Sequence, residues 1–268
     1  MKRPKIVIGI FITLILVVLT IVLLACTVFV VRDITVVKAV SSRLLDEDVI
    51  VASSKLKKGT SIISLDKQEI KEEIERANPY VEVVAISREF PNEVIIEVTV
   101  RTAVMLVPSE DASTFALLDD DMKVLDVFPQ SETDYHMPIV NDLTFVVPEQ
   151  GAQSLVGSHI TFADATRGAL LSDILSAAGD PSIKLSGNSF RAFFKEISFT
   201  SGTRILLKTQ KGVSFVLDTS LESDLFSQLY MCLNVFSLSS TNVDRSKGYI
   251  LYEKKGMTAA YNWVESLD

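Results

Sequence analysis

Residues 88–101 read REFPNEVIIEVTVR, and this stretch decides how the first part of the chain folds. Pro91 and Asn92 are turn-forming residues, and they separate two runs rich in β-branched side chains. After the turn, every second residue is apolar, which predicts a strand over 94–101 with one buried face. The run before the turn predicts a partner strand over 80–88. The predicted buried face consists of Val94, Ile96, Val98 and Val100.

Upstream of this hairpin, the sequence predicts one strand followed by two short helices. Residues 34–40 are mostly β-branched, which favours a strand. Acidic residues at 46–48 predict the start of the first helix, and Lys57-Lys58-Gly59 predicts its end. Asp66 begins the second helix in a capping-box pattern. The order is β-α-α-β-β, in which we expect both helices to cover one face of a three-stranded sheet. The apolar face of the second helix consists of Ile70, Ile74 and Ala77.

The second part of the chain predicts a mixed β-sheet domain with flanking helices. Residues 130–160 have no regular pattern and are predicted to be irregular. One helix is predicted from about Asp164 to Ala178, and another follows a capping box at Thr219 and Glu222. The second of these helices carries a leucine repeat at Leu221, Leu225, Leu229 and Leu233. Strands are predicted at 103–107, 115–118, 123–128, 190–199, 203–208, 213–218, 249–253 and 258–263.

Residues 6–31 contain no charged side chain, and three basic residues precede them within 1–5. A run of this length predicts a helix that spans a bilayer, and the basic flank predicts a cytoplasmic N-terminus. Leu23-Leu-Ala-Cys26 is similar to a bacterial lipobox, so a lipoprotein stays an alternative, although the apolar run continues past Cys26.

The predicted fold class is α+β: a single N-terminal transmembrane helix, a β-α-α-β-β domain and a mixed β-sheet domain with flanking helices. The last hairpin is predicted to close this sheet, with its turn at 254–256. The predicted divisions are a cytoplasmic tail (1–5), the anchor (6–31), the first domain (32–103), the second domain (104–264) and a C-terminal tail (265–268).

The exported part, residues 32–268, carries all 34 acidic residues and 23 of the 26 basic ones, which gives a net charge of −11. This charge excludes a protein that binds nucleic acid through bulk positive charge. One apolar run also excludes a polytopic transporter, since each span needs roughly 20 residues. Cys232 is the one cysteine of the exported part, so no intramolecular disulfide is available there, and we expect Cys232 to be a small buried side chain.

No motif of an enzyme is present, and we predict no catalytic, cofactor or metal site and no small-molecule substrate. His136 and His159 lie in the irregular region without a Gly-x-Ser-x-Gly elbow, and phosphate-binding glycine motifs do not occur. The three consecutive aspartates at 119–121 are considered as ligands of a Ca²⁺ ion. Three consecutive side chains cannot supply the roughly six to eight oxygens of that ion, and a hairpin turn explains them.

The order of these motifs resembles the POTRA domain of the FtsQ/DivIB cell-division proteins, which in that family directly follows a single N-terminal membrane anchor. The resemblance rests most on Arg-x-Phe-Pro-Asn at 88–92, the strand that follows it, and Arg101-Thr-Ala-Val. Gly59-Thr-Ser-Ile and Asn78-Pro-Tyr-Val are further matches. The resemblance implies that 32–103 form a POTRA domain and 104–264 an FtsQ-type β domain, outside the bacterial cell membrane at the division septum.

The same resemblance implies a function without catalysis or a cofactor. The family suggests a divisome scaffold that binds small single-pass coiled-coil proteins of the FtsL/DivIC (FtsB-like) type and helps coordinate septal peptidoglycan synthesis. In that family the terminal strands of the β domain receive a small partner, and we expect the last strand here to lie at a sheet edge. The partner-binding residues that this implies are Tyr249, Leu251, Tyr252, Ala260, Tyr261 and Trp263.

A second class of function stays open, namely an extracytoplasmic cell-wall-binding or sensor domain on a membrane anchor or a lipid. Sugar-binding sites commonly use aromatic rings as stacking faces. The exported part has one tryptophan, Trp263, and no aromatic cluster in its sequence. Pull-down of small division proteins, compared with binding to purified peptidoglycan, distinguishes the two classes.

Overall fold

Hydrophobic side chains collect in two separate cores, one within Met1–Arg101 and one within Thr102–Asp268. The computed structural model describes residues 3–131, 136–185, 187, 189–238, 243–255 and 258–267. Both units combine helices with a sheet, three-stranded in the first and nine-stranded in the second. The α+β class and the mixed sheet are therefore as predicted.

Most of the uncharged N-terminal run lies in helix α1 (Arg3–Thr27), which also includes Arg3 and Lys5. Its large apolar side chains from Ile10 to Leu23 are exposed. Among the residues that the structure describes, no helix is both long and apolar enough to cross a membrane, so the anchor predicted over 6–31 is unsupported by this finding.

The rest of the first unit follows the predicted β-α-α-β-β order. Its elements are β1 (Asp33–Lys38), α2 (Glu47–Ser53), α3 (Lys67–Ala77), β2 (Val81–Glu89) and β3 (Glu93–Val100). β3 is the central strand, parallel to β1 and antiparallel to β2. The alternation predicted for β3 is confirmed, because Val94, Ile96 and Val98 are fully buried while Glu97 is exposed. Ile74 of α3 is buried in the same core.

An aspartate caps the N-terminus of both α2 and α3, and the cap of α3 is the predicted residue, Asp66. The Asp66 carboxylate accepts hydrogen bonds from the backbone N–H groups of Gln68 and Glu69, at 2.9 and 3.2 Å. Asp46 caps α2 in the same way. These bonds satisfy amide groups that have no partner within a helix, which is why each helix begins where it does.

The predicted end of α2 at Lys57-Lys58-Gly59 is wrong. The helix ends at Ser53, and Lys55 adopts a left-handed conformation (φ +55°) that is incompatible with a continuing α-helix. Gly59 (φ +92°) lies instead in a turn, where its N–H donates to the carbonyl oxygen of Val31 at 2.8 Å.

A buried ion pair joins α3 to the residue after β3. Glu75 and Arg101 are 4% and 8% exposed. Oε1 of Glu75 accepts from Nη2 of Arg101 at 3.2 Å and from the backbone N–H of Val83 in β2 at 2.9 Å. The same carboxylate therefore fixes the helix to an edge strand and to the last residue of the unit.

Within its described residues, the second unit contains nine strands, three helices and a short 3₁₀ turn (Ala152–Leu155). The strands are β4 (Met105–Pro108), β5 (Thr114–Leu118), β6 (Val124–Pro129), β7 (Ile139–Asn141), β8 (Phe194–Phe199), β9 (Arg204–Thr209), β10 (Ser214–Asp218), β11 (Tyr249–Lys255) and β12 (Thr258–Val264). The helices are α4 (Ala165–Gly179), α5 (Phe190–Phe193) and α6 (Leu225–Ser237). The order across the sheet is β12-β11-β10-β9-β8-β7-β4-β5-β6.

One strand of this sheet is missing from the sequence-based prediction. Residues 130–160, predicted as irregular, include β7, which lies inside the sheet between β4 and β8 and is parallel to both. Its three residues are too few to show a two-residue alternation. The amide of Asn141 donates to the Glu196 carboxylate of β8 at 2.6 Å, which strengthens this pairing.

The structure differs from the prediction at the starts of α5 and α6. The start of α4 is as predicted, with Asp164 as its cap. The strand predicted over 190–199 begins as α5, because the Ser189 hydroxyl accepts from the N–H of Ala192 and caps a helical turn. The capping box at Thr219 and Glu222 is wrong, since Asp224 caps α6. The helix therefore begins after Leu221, which is not part of its apolar stripe.

Four phenylalanines form the centre of the second core: Phe193 (α5), Phe194 (β8), Phe215 (β10) and Phe236 (α6). Their ring centroids lie 4.8–5.9 Å apart, mostly edge to face. Such pairs contribute about 0.5–1.5 kcal/mol each beyond their buried area. The cluster fixes α6 against β10.

The Glu75–Arg101 pair generates the first prediction. We expect Arg101→Met to lower the free energy of unfolding by up to about 3–5 kcal/mol, because it removes the buried cation of Glu75 and leaves the half-exposed ammonium of Lys71, at 3.8 Å, as a longer ion pair. The double variant Glu75→Gln/Arg101→Met removes the charge as well and is expected to recover most of this loss. Urea unfolding of the full chain, with hydrogen exchange of β2 and β3, measures both changes. Arg76→Met is the control, since Arg76 is exposed and forms a surface pair. A double variant as unstable as Arg101→Met contradicts the explanation.

Candidate partner-binding surface

Helix α6 connects β10 to β11 and so determines where the last hairpin begins. Leu229, Cys232, Leu233 and Phe236 are its buried residues toward the core. The thiol of Cys232 donates to the carbonyl oxygen of Ile250 in β11 at 3.7 Å, and burial raises the pKa of this thiol. The prediction that Cys232 is a small buried side chain is confirmed.

The last hairpin, β11 and β12, lies at one end of the nine-stranded sheet. β11 is parallel to β10, with Ser214 beside Tyr249 and Phe215 beside Ile250. β12 is antiparallel to β11 and is the terminal strand of the sheet, so the edge position predicted for the last strand is confirmed. In the described part of the chain its outer side has no neighbouring strand, which leaves backbone groups open to an added strand.

The register of the hairpin divides the predicted partner-binding residues between two faces. Tyr252 pairs with Tyr261, and Trp263 pairs with Ile250, so these side chains share the face toward the core. The opposite face, called here the outer face, carries the other predicted residues, Tyr249, Leu251 and Ala260. By the same register, Glu253, Asn262 and Val264 lie on it as well.

The aromatic residues on the core face hold the hairpin in place. The Tyr252 and Tyr261 ring centroids are 5.5 Å apart. Tyr261 and Trp263 are partly buried and pack against the core of the second unit. Burial raises the pKa of the Tyr261 phenol. Their first role is therefore packing, and a substitution at either position would disturb the fold together with any binding.

A set of contacts at the base of the hairpin ties its two strands to the preceding loop. The indole N–H of Trp263 donates to the carbonyl oxygen of Lys247 at 3.0 Å, and the Lys247 ammonium pairs with Glu265. Gly248 follows Lys247 directly and precedes β11. Its φ is +81°, and a Cβ at this position would lie 2.4 Å from the carbonyl oxygen of Val264. Sequence reasoning missed Lys247 and Gly248, although a glycine directly before a strand is a usable turn signal.

The outer face is the more accessible part of the hairpin. Ala260 and Asn262 are exposed, and Tyr249 and Leu251 are partly buried. Asn262 was not among the predicted residues, although it follows Ala260 by two positions and so shares its face. Gly256, in the predicted turn, lies outside the described residues. The outer face and the edge of β12 together form the candidate surface.

The histidines and aspartates considered as catalytic or metal-binding residues lie outside the last hairpin. His136 and His159 are both exposed. The buried carboxylate of Asp119 accepts from the backbone N–H of Lys123 at 2.7 Å, within the turn that joins β5 to β6. Among the described residues, no three His, Cys, Asp or Glu side chains are grouped as metal ligands would be.

Residues 30–101 match the family model of the POTRA domain, FtsQ-type. The first unit therefore carries an FtsQ-type POTRA domain. A comparison with curated proteins finds no match.

The backbone at Gly248 generates the second prediction. We expect Gly248→Ala to destabilise the hairpin by about 1–2 kcal/mol or more, because a left-handed alanine is strained and its Cβ meets the Val264 carbonyl. Trp263 is the one tryptophan of the chain, so its fluorescence reports on the hairpin during urea unfolding. Gly202→Ala is the control, since a Cβ at Gly202 meets nothing within 4 Å. Equal midpoints for the two variants would contradict this account.

Proposed function

We propose that this chain is a non-enzymatic scaffold of bacterial cell division. The FtsQ-type POTRA match over 30–101 carries the proposal, because it ties the first unit to a division-protein family. The scaffold binds small single-pass coiled-coil proteins of the FtsL/DivIC (FtsB-like) type outside the membrane and helps coordinate septal peptidoglycan synthesis.

The proposal includes a single membrane anchor at residues 6–31. Twenty-six consecutive residues without a charge exceed the roughly 20 that a spanning helix needs. The basic residues Lys2, Arg3 and Lys5 favour a cytoplasmic N-terminus, which puts both folded units on the other side of the membrane at the septum.

Docking at the edge of β12 is the proposed binding mode. An extended partner segment added to β12 gains main-chain hydrogen bonds, and alternate side chains meet the two faces of the sheet. The outer face supplies Ala260 and Asn262 as accessible positions and Leu251 as a partly buried apolar one. The cell-wall-binding alternative is less favoured, because Trp263 packs on the core and its N–H is bonded to Lys247.

Photocrosslinking in cells tests the binding mode. Benzoylphenylalanine at Ala260 or at Asn262 is expected to give a covalent adduct with the small coiled-coil division proteins. The matched control is Gln150, an exposed position in the turn before the 3₁₀ helix, outside the hairpin and outside helices α4 and α6. The double variant Ala260→Lys/Asn262→Lys adds charge at the edge without touching the core, and it is expected to lower septal recruitment of the partners at least tenfold, measured by fluorescence microscopy.

Two outcomes separate the parts of this proposal. Co-purification of the small division proteins without adducts from Ala260 or Asn262 would show that docking occurs away from β12 while the scaffold function stands. If the wild-type chain neither reaches the septum nor co-purifies with such proteins, the scaffold function itself is wrong.

A further inference from the structure

A groove of about 290 Å³ lies between α4 and the first turn of α6, in the second unit. The α4 side is a stripe at i, i+3, i+4 and i+7. The α6 side consists of its cap and the two residues that follow. The lining residues are Asp173, Ser176, Ala177, Asp180, Asp224, Leu225 and Phe226.

The rim of this groove is acidic. Three of its lining residues are aspartates, and the lining includes no basic side chain. Hydrogen bonds from Ser182 lower the pKa of Asp180, and hydrogen bonds from Ser227 lower the pKa of Asp224, so both carboxylates are charged at neutral pH. The carbonyl end of α4 adds negative potential at the same place.

Beside this rim α6 presents an aromatic pair. The ring of Phe226 stacks on that of Tyr230, one turn further along the helix, with centroids 6.4 Å apart and planes at 13°. Tyr230 is 42% exposed, although its ring is a large apolar surface. Carboxylates beside exposed rings suit a ligand that carries both cationic and apolar groups. The carboxylates and the ring faces attract cations, and the rings also offer apolar surface.

From this geometry we propose that the α4–α6 groove is a docking site for a basic amphipathic helix of a partner protein. The walls are two helices, and a third helix packs between such walls with its side chains. Strand addition needs an open sheet edge, which a helical wall does not provide. Lysine or arginine side chains of the partner would pair with Asp173, Asp180 and Asp224, and its apolar stripe would cover Phe226.

Other occupants fit the groove less well. A second copy of the chain is disfavoured, because residues 32–268 carry a net charge of −11 and two copies repel each other. Pockets for small molecules commonly have about 300–1,000 Å³ and enclose most of the ligand, so this groove lies at the lower limit of that range. The acidic rim also opposes an anionic lipid surface. The proposal does not depend on the division function, since it concerns a different surface of the second unit.

The test uses the purified full chain in an uncharged detergent and a fluorescent 18-residue peptide. The peptide has leucines on one helical face and lysines on the other, and a leucine–glutamate peptide of the same pattern is its counterpart. Fluorescence anisotropy, with empty micelles as the blank, measures each Kd. We expect the lysine peptide to bind, and Asp173→Asn/Asp180→Asn/Asp224→Asn to weaken it at least about fivefold, given the usual strength of exposed ion pairs.

Asparagine is also a good helix cap, so this triple variant keeps the start of α6, which circular dichroism verifies. The matched control Glu89→Gln/Glu110→Gln/Glu149→Gln removes the same charge at exposed positions outside the groove lining, and we expect less than a twofold change. Tyr230→Ala is expected to weaken binding about fivefold. An equal loss in both triple variants, or equal binding of the glutamate peptide, would overturn the proposal. So would a chain dimer in sedimentation that the groove variant alone dissociates, since a second copy would then occupy the groove.

Discussion

The ring of Phe215 is the contact on which the second unit depends. It lies in β10 and meets Phe193, Phe194 and Phe236, so a short helix, a strand and α6 converge on one fully buried side chain. Because α6 is fixed there, the chain returns to the sheet at β11, directly beside β10. The candidate surface on β12 and the groove beside α4 therefore depend on the same aromatic packing.

The elements that the sequence predicted well are those whose cause is local. The alternation of β3 and the aspartate caps of α3 and α4 are set by neighbours within a few residues. The missed strand β7 has a distant cause: Ile139 pairs with Leu106 and with Glu196, and nothing in three residues announces either partner. The end of α2 depended on one left-handed residue, Lys55, whose side chain gives no such signal.

The candidate surface on β12 also depends on contacts between distant parts of the sequence. Spacing by two already put Tyr261 and Trp263 on one face and Ala260 on the other, but the sequence alone does not say which face meets the core. That answer comes from α6, which packs on one side of the sheet. The α4–α6 groove was beyond sequence reasoning, because it joins a stripe of one helix to the first turn of another more than forty residues later.

The parallel joint between β10 and β11 gives the sheet a seam. The register across it covers Ser214–Tyr249 and Phe215–Ile250, whereas β11 runs beside β12 from Tyr249 to Lys255. A hairpin with many internal bonds and a short outer joint separates as one cooperative piece rather than strand by strand. Amide hydrogens of both strands would then exchange with solvent at a shared rate, faster than those of β8 to β10. A pulling force applied to β12 would therefore break the β10–β11 pairing before it disrupts the cluster of four phenylalanines.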